Sequence, residues 1–205
     1  MVRIAVLVSG RGSNLEAIIN SIVNKKTNAV IAVVISNVQN ALALEIARVN
    51  GIKTLFVDPG KHKRREDFDQ EIMEIVKKEQ ATLICLAGFM RVLSKTFIHR
   101  FKNRIMNIHP SLLPSFPGLK AQNKALDAGV KFSGCTVHFL DEGVDTGPII
   151  CQAVVPVLDD DTVESLSKRI LKEEHRIYPL AIQAFIAQRL VCEGRKVFWK
   201  NEKKP

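Results

Sequence analysis

Long apolar runs, paired cysteines and aromatic-studded basic stretches are what this chain lacks, and each absence removes a class of function. No stretch of the 205 residues approaches the roughly 20 apolar residues that a membrane-spanning helix needs. The first residues, MVRIAVLVSG, lead into a strand and a glycine turn rather than a signal-peptide cleavage site, so cytoplasmic residence away from any membrane is the expectation. Cys85, Cys135, Cys151 and Cys192 stand far apart, with neither metal nor redox spacing, and read as buried thiols. With 1 Trp and 1 Tyr, the basic runs have no stacking partners of the kind a single-strand nucleic-acid platform uses. Internal repeats and Gly/Ser linkers are also missing, which favours one domain over 1–205.

What is present is a 46% hydrophobic chain with a formal charge of +9, enough to bury a substantial core and to favour anionic partners. Much of the charge excess lies in Lys61-His62-Lys63-Arg64-Arg65 and in the tail from Lys200 to Lys204, which reads as a solvated end. Apolar segments at Ile4 to Val8, Val30 to Ile35, Thr54 to Val57 and Leu83 to Leu86 alternate with helical patterns at Asn14 to Val23, Ala41 to Val49 and Glu66 to Lys78. Strands that are apolar throughout, separated by helices, predict an α/β doubly wound, mostly parallel sheet covered on both faces. Gly134 to Leu140 and Ile149 to Val157 predict an antiparallel hairpin in the second half. Asp161 with Glu164 reads as the cap of a long final helix, which Pro179 is expected to kink or break.

The densest chemical signal is Asn107-Ile108-His109-Pro110-Ser111-Leu112-Leu113-Pro114. Strand alternation sends residues i and i+2 to the same face, so Asn107 and His109 are expected to point together. Pro110, Pro114 and Pro117 stiffen the next segment, a loop expected to present those side chains rather than bury them. An amide donor beside a titratable imidazole suits chemistry in which an oxyanion forms and protons move. An isolated Asn-x-His more often marks a satisfied core histidine beside a turn. The acidic segment Asp141-Glu142-Gly143-Val144-Asp145 changes that balance, because its glycines allow a tight loop that carries a carboxylate towards His109 and favours its protonated form.

Ser9-Gly10-Arg11-Gly12-Ser13-Asn14 joins the first strand to the first helix and makes a ready anion site. Leu15 stands where a dinucleotide fingerprint needs its third glycine, and Ser36-Asn37 replaces the acidic residue for the ribose, so a single phosphate fits better. Met90 and Arg91 follow the fourth strand, at the carboxyl edge where open α/β sheets bind ligands.

Together Gly12-Ser13-Asn14-Leu15, Ala87-Gly88-Phe89-Met90-Arg91, Asn107, His109, Phe116-Pro117-Gly118, Asp145 and Glu174-His175-Arg176-Ile177-Tyr178-Pro179 resemble the folate-dependent formyltransferases along nearly the whole chain. The resemblance implies a phosphate-binding, Rossmann-like half over 1–100 and a catalytic, folate-binding half over 101–205. It implies formyl transfer from 10-formyltetrahydrofolate to the amine of 5-phosphoribosylglycinamide in de novo purine biosynthesis, with no metal. Asn107, His109 and Asp145 are then the catalytic group, and protonated His109 shares the oxyanion with Asn107. Gly12, Ser13 and Asn14 hold the 5′-phosphate, and Glu174 the ribose hydroxyls. Arg65, Met90, Arg91, Val92 and Leu93, with Asn107 and with Asp141, Glu142, Gly143 and Val144, surround the folate. Either Arg64 or Arg65 is the one that reaches it. Thr136 and His138 share one strand face and either support His109 or pack. Lys120-Ala121-Gln122-Asn123 departs from histidine-containing versions of the family.

Three other functions are separable from this one. A formyltetrahydrofolate hydrolase of this type carries an extra amino-terminal domain, and a methionyl-tRNA formyltransferase adds a carboxyl-terminal one. A non-catalytic nucleotide-binding module needs only the glycine loop, and leaves Asn107, His109 and Asp145 unexplained.

Overall fold

In a computed structural model, which describes residues 1–200, the chain clusters into two compact units, Met1–Asn107 and Ile108–Pro205. Lys203 and Lys204 of the predicted solvated tail lie outside the described residues.

The first unit follows the βα alternation read from the sequence: β1 (Val2–Val8), α1 (Ser13–Val23), β2 (Ala29–Ser36), α2 (Leu42–Val49), β3 (Thr54–Phe56), α3 (Arg65–Lys78), β4 (Leu83–Leu86) and α4 (Lys95–Arg100). β5 (Ile105–His109) begins in this unit and ends in the next. The strands are parallel in the order β3-β2-β1-β4-β5. Ile4 to Val8 and Leu83 to Cys85 are fully buried, as strands covered on both faces must be. Strand order reverses between β1 and β4, and that switch point is where an open α/β sheet leaves a crevice at its carboxyl edge. The loops there are bound together closely: Ser9 N–H donates to Gly88 O (3.1 Å) and Met90 N–H to Ser9 Oγ (2.8 Å). Ser9 Oγ in turn donates to Asn37 Oδ1 at 2.5 Å, so one hydroxyl ties the ends of β1, β2 and β4.

The second unit contains α5 (Ala121–Asp127), β6 (Phe132–Phe139), β7 (Ile149–Pro156), α6 (Val163–Ile186), β8 (Leu190–Glu193) and β9 (Lys196–Trp199). β6 and β7 form the predicted antiparallel hairpin, and α6 packs against both through Leu166, Ile170, Ile177, Tyr178 and Ile182. β8 and β9 form a second hairpin, absent from the sequence reading because four-residue half-buried strands carry almost no alternation. Trp199 anchors it by donating Nε1–H to Ile150 O at 2.9 Å.

The final helix departs from expectation twice. Thr162, not Asp161, is the N-cap, and its capping-box partner is Ser165 rather than Glu164. Asp161 instead accepts a forked pair of bonds from Arg169, at 2.6 and 3.0 Å. Pro179 does not break the helix, which runs unbroken over 24 residues. Ile177, Tyr178, Pro179, Ala181 and Ile182 are all buried, and burial of roughly 1.5–3 kcal/mol per large apolar side chain outweighs the cost of about 3 kcal/mol for the proline.

Candidate active site

The loop after β1 owes its shape to one residue. Gly12 caps α1 in the left-handed region (φ 83°), and a Cβ added there meets Ala43 Cα at 2.7 Å. Only glycine lets the turn lie against α2 in this way. Among the described residues no side chain caps α1, and the positive end of its dipole lies at this loop.

The segment after β4 is bent by Gly88 (φ 78°) and exposes Met90 and Val92 while burying Leu93. The Arg91 guanidinium lies 4.6 Å from the centre of the Phe68 ring, a cation–π contact that fixes it beside α3. The two candidate arginines at the start of α3 differ in engagement. Arg64 forks onto Asp67 at 2.6 and 3.1 Å, whereas Arg65 has a looser 3.7 Å ion pair with Glu66.

In the second unit, β5 extends through His109, so the strand is longer than the Ile105-Met106 pair suggested. The imidazole is therefore buried at 5% exposure, not presented by a loop. Asn107, two residues earlier in the same strand, is half-buried. His109 Nε2 lies 3.0 Å from Phe116 O, and since a carbonyl only accepts, Nε2 carries a proton. Nδ1 faces Asp145 Oδ2 at 3.3 Å. Asp145 adopts a left-handed backbone (φ 56°) and accepts from Gly118 N–H at 2.8 Å. On its other side His138 Nε2 stands 3.6 Å from Oδ1, with His138 Nδ1 turned to Phe139 O at 2.9 Å. One carboxylate is thus bracketed by two imidazoles, each with its far nitrogen tied to a backbone carbonyl.

Asp145 pulls the His109 pKa upwards as the sequence led one to expect, but against a larger opposing effect. Burial pushes its pKa below the ordinary 6.5 and outweighs the Phe116 carbonyl and the Asp145 carboxylate, which pull upwards. Both ring nitrogens face acceptors, the Phe116 carbonyl and the Asp145 carboxylate, so the geometry favours a proton on each while burial opposes the charge. For Asp145, burial opposes ionisation, but His138, the Gly118 N–H and His109 prevail and hold the carboxyl below its usual range.

The loop bearing Asp145 is fixed by contacts that permit no side chain at two positions. A Cβ on Gly143 would collide with Thr146 Oγ1, and one on Gly147 with Phe139 O. Asp141 closes the turn by accepting from Gly143 N–H (3.1 Å) and Thr146 Oγ1 (2.6 Å). Glu142 and Val144 are exposed on the same loop. Thr136 and His138 both support His109. Thr136 Oγ1 accepts from Leu113 N–H (3.0 Å) and donates to Ser111 O (2.7 Å), while Gln152 Nε2 donates to Leu113 O (2.9 Å). This network holds the 111–116 loop whose Phe116 carbonyl sets the His109 tautomer. Gln152 went unnoticed in the sequence, where a glutamine in an alternating strand reads as solvent-facing. Glu174 is buried at 7% exposure on α6 rather than solvent-facing. Of the thiols, Cys85 and Cys135 are buried as expected, whereas Cys151 and Cys192 are partly exposed.

The formyl transferase family model matches residues 2–182. The chain belongs to the formyl transferase family. Among relatives of this formyl transferase is the glycinamide ribonucleotide transformylase 1 of Symbiobacterium toebii, a solved structure 52% identical with TM-score 0.97, covering 98% of this chain and 95% of that one. The phosphoribosylglycinamide formyltransferase of Bacillus subtilis is 39% identical over 186 residues, 91% of this chain and 95% of its own length. A trifunctional purine biosynthetic protein of Drosophila melanogaster is 49% identical over 186 residues, but this formyl transferase spans only 14% of that protein.

Proposed function

We propose that this formyl transferase moves the formyl group of 10-formyltetrahydrofolate onto the amine of 5-phosphoribosylglycinamide, as a cytoplasmic step of purine biosynthesis. The observation that carries the reading is the His109–Asp145 pair at 3.3 Å, in a chain that spans 95% of relatives named phosphoribosylglycinamide formyltransferase and glycinamide ribonucleotide transformylase. Two glycine-shaped loops in the other unit suit the two substrates. The uncapped start of α1, through Gly12, Ser13 and Asn14, takes the ribonucleotide phosphate, and buried Glu174 takes the ribose hydroxyls. Arg65, Met90, Arg91, Val92 and Leu93, together with Asn107, take the folate, with the two arginines at its glutamate carboxylates. Arg65 is favoured over Arg64 because Arg64 is already occupied by Asp67. The turn from Asp141 through Glu142, Gly143 and Val144 recognises the pterin through its backbone. The 205-residue span is then one functional domain.

The chemistry follows from the protonation state. The neutral glycinamide amine attacks the formyl carbon, the carbonyl electrons become an oxyanion, and Asn107 with the His109 Nε2–H donates to it in place of Phe116 O. The proton lost by the attacking nitrogen is carried by Asp145, through water, to the departing nitrogen, and the Asp145 charge stabilises the His109 imidazolium beside it. Collapse breaks the bond to N10, which receives that proton, and releases tetrahydrofolate and the formylated amide. The imidazolium form of His109, held by Asp145, meets the charge that develops in the substrate, and an interaction that strengthens in the transition state is one that accelerates a reaction.

The test is release of tetrahydrofolate from 10-formyltetrahydrofolate with 5-phosphoribosylglycinamide, water or formyl-acceptor tRNA as acceptor. Rapid turnover with the ribonucleotide alone is expected. Turnover of equal rate with water assigns a hydrolase instead, and turnover with tRNA alone a tRNA formyltransferase.

A further inference from the structure

Asp69 is a buried carboxylate that the mechanism does not use. It is 1% exposed on α3, between the buried Phe68 and Ile72. Burying a carboxylate is costly unless it is paired, and burial does raise the Asp69 pKa. Its partner is Ser94, whose backbone N–H reaches Oδ2 at 2.5 Å and whose side chain also bonds to it. Ser94 is the N-cap of α4, accepting from Phe97 N–H at 3.3 Å, and it ends the segment that runs from Gly88 through Arg91 and Leu93. Arg65 and Arg91 both act on Asp69 as stabilising positive charges. The preceding residue, Phe68, carries the Arg91 guanidinium over its ring. Thus α3 holds both ends of the 91–94 segment, one by cation–π contact and one by a charged hydrogen bond.

We propose that Asp69 is a positioning residue for the folate co-substrate: it anchors Ser94, and with it the 90–93 segment, while balancing Arg65 and Arg91 in the absence of ligand carboxylates. This rests on the proposed function, in which that segment and those arginines meet the folate. Without Asp69 the buried Ser94 N–H loses its acceptor, the segment relaxes, and two cations are left without a shared counter-charge. Ribonucleotide binding, assigned to a different loop, is untouched.

The experiment is calorimetric titration of the wild type, Asp69→Ala and Asp69→Asn with 10-formylfolic acid and separately with 5-phosphoribosylglycinamide, alongside steady-state kinetics. Asp69→Ala is expected to weaken 10-formylfolic acid binding about tenfold or more, the scale of one charged hydrogen bond. Asp69→Asn keeps an acceptor for Ser94 but not the charge, so an intermediate loss is expected, and it serves alone if the alanine variant does not fold. KM for the folate should rise while ribonucleotide affinity and kcat at saturation stay near wild type. Wild-type folate affinity in a folded variant, or an equal loss for both ligands, overturns the inference. If the wild type itself fails to bind 10-formylfolic acid, the functional reading falls and this inference with it.

Discussion

The two units carry their chemistry in opposite ways. In Met1–Asn107 the notable groups are backbone: a left-handed Gly12, an uncapped helix start and a segment bent at Gly88, with cations at the surface. In Ile108–Pro205 they are side chains, the buried His109 and His138 and the half-buried Asp145, oriented by backbone carbonyls and a Gly118 N–H. Backbone donors are fixed in charge, so they suit the holding of an anion whatever the pH. Buried imidazole and carboxylate have protonation states that a neighbour can tip, which suits catalysis. The contrast predicts that damage to the His109 and Asp145 side chains falls on turnover and damage to the Gly12 turn on affinity.

The largest effect tests the catalytic side of that contrast. Asn107→Ala or His109→Ala should lower kcat by about 100- to 1,000-fold, equivalent to about 2.7–4 kcal/mol, with binding of either ligand little changed. Equal kcat in a folded variant, by single-turnover formyl transfer, removes that residue from the mechanism.

Gly12→Ala tests the other side. The added Cβ meets Ala43 Cα at 2.7 Å and the residue must keep φ near 83°, so a backbone shift is unavoidable. A stability cost of about 1–3 kcal/mol is expected from the strained backbone alone, readable by urea unfolding. Calorimetry should show weakened ribonucleotide binding with folate affinity preserved. A matching loss for folate places the phosphate elsewhere.

Asp145→Asn sharpens the electrostatic part. Asp145 raises the His109 pKa against the larger lowering by burial, so its removal should lower that pKa further. The limb of the pH–kcat/KM profile that His109 controls then moves to lower pH, and kcat falls because the imidazolium loses its counter-ion. Histidine NMR titration checks this directly; an unchanged His109 pKa means Asp145 is not its electrostatic partner. The linkage has a definite sign. A histidine with a folded pKa depressed below 6.5 supports stability above that pH and loses it as pH falls towards the folded value. Asp145 adds a second loss below 3.8, where its unfolded carboxyl protonates before its folded one. His109→Gln should flatten the first of these slopes in urea melts at a series of pH values.

The smallest effect belongs to a residue outside both contrasting sites. Thr162→Ala removes the cap of α6 and should cost about 1 kcal/mol of unfolding free energy, leaving kcat and both affinities unchanged. A kinetic phenotype there would mean that α6 transmits strain to Glu174.

Periodicity carried much of the fold. β1, β2 and β4 are apolar almost from end to end, and α1, α2 and α3 lie within one or two residues of where their patterns placed them. The failures have local causes. α4 and α5 are helices of six and seven residues, too short for a 3.6-residue period to repeat convincingly. The α6 cap moved by one residue because Asp161 had a stronger partner in Arg169 than in a helix N-terminus. Pro179 sits in an unbroken helix because its neighbours are core residues, and packing overrules a local propensity. In the candidate site, Asn-x-His and the Asp145 loop were legible as residue types at suggestive spacing. The bracketing of Asp145 by His138, the role of Gln152 and the burial of Asp69 were not, because each depends on a partner brought close by folding or on solvent exclusion.

By itself the sequence determined the α/β alternation, the glycine turns at strand ends, the net positive charge and the set of groups able to do the chemistry. These follow from local rules: backbone freedom at glycine, side-chain periodicity and intrinsic acidity. Only the tertiary structure decided that both nitrogens of His109 face acceptors and that burial pulls its pKa down. Charge state is set by distance and by the exclusion of water, and both arise when residues 109, 116, 138 and 145 are folded around one another.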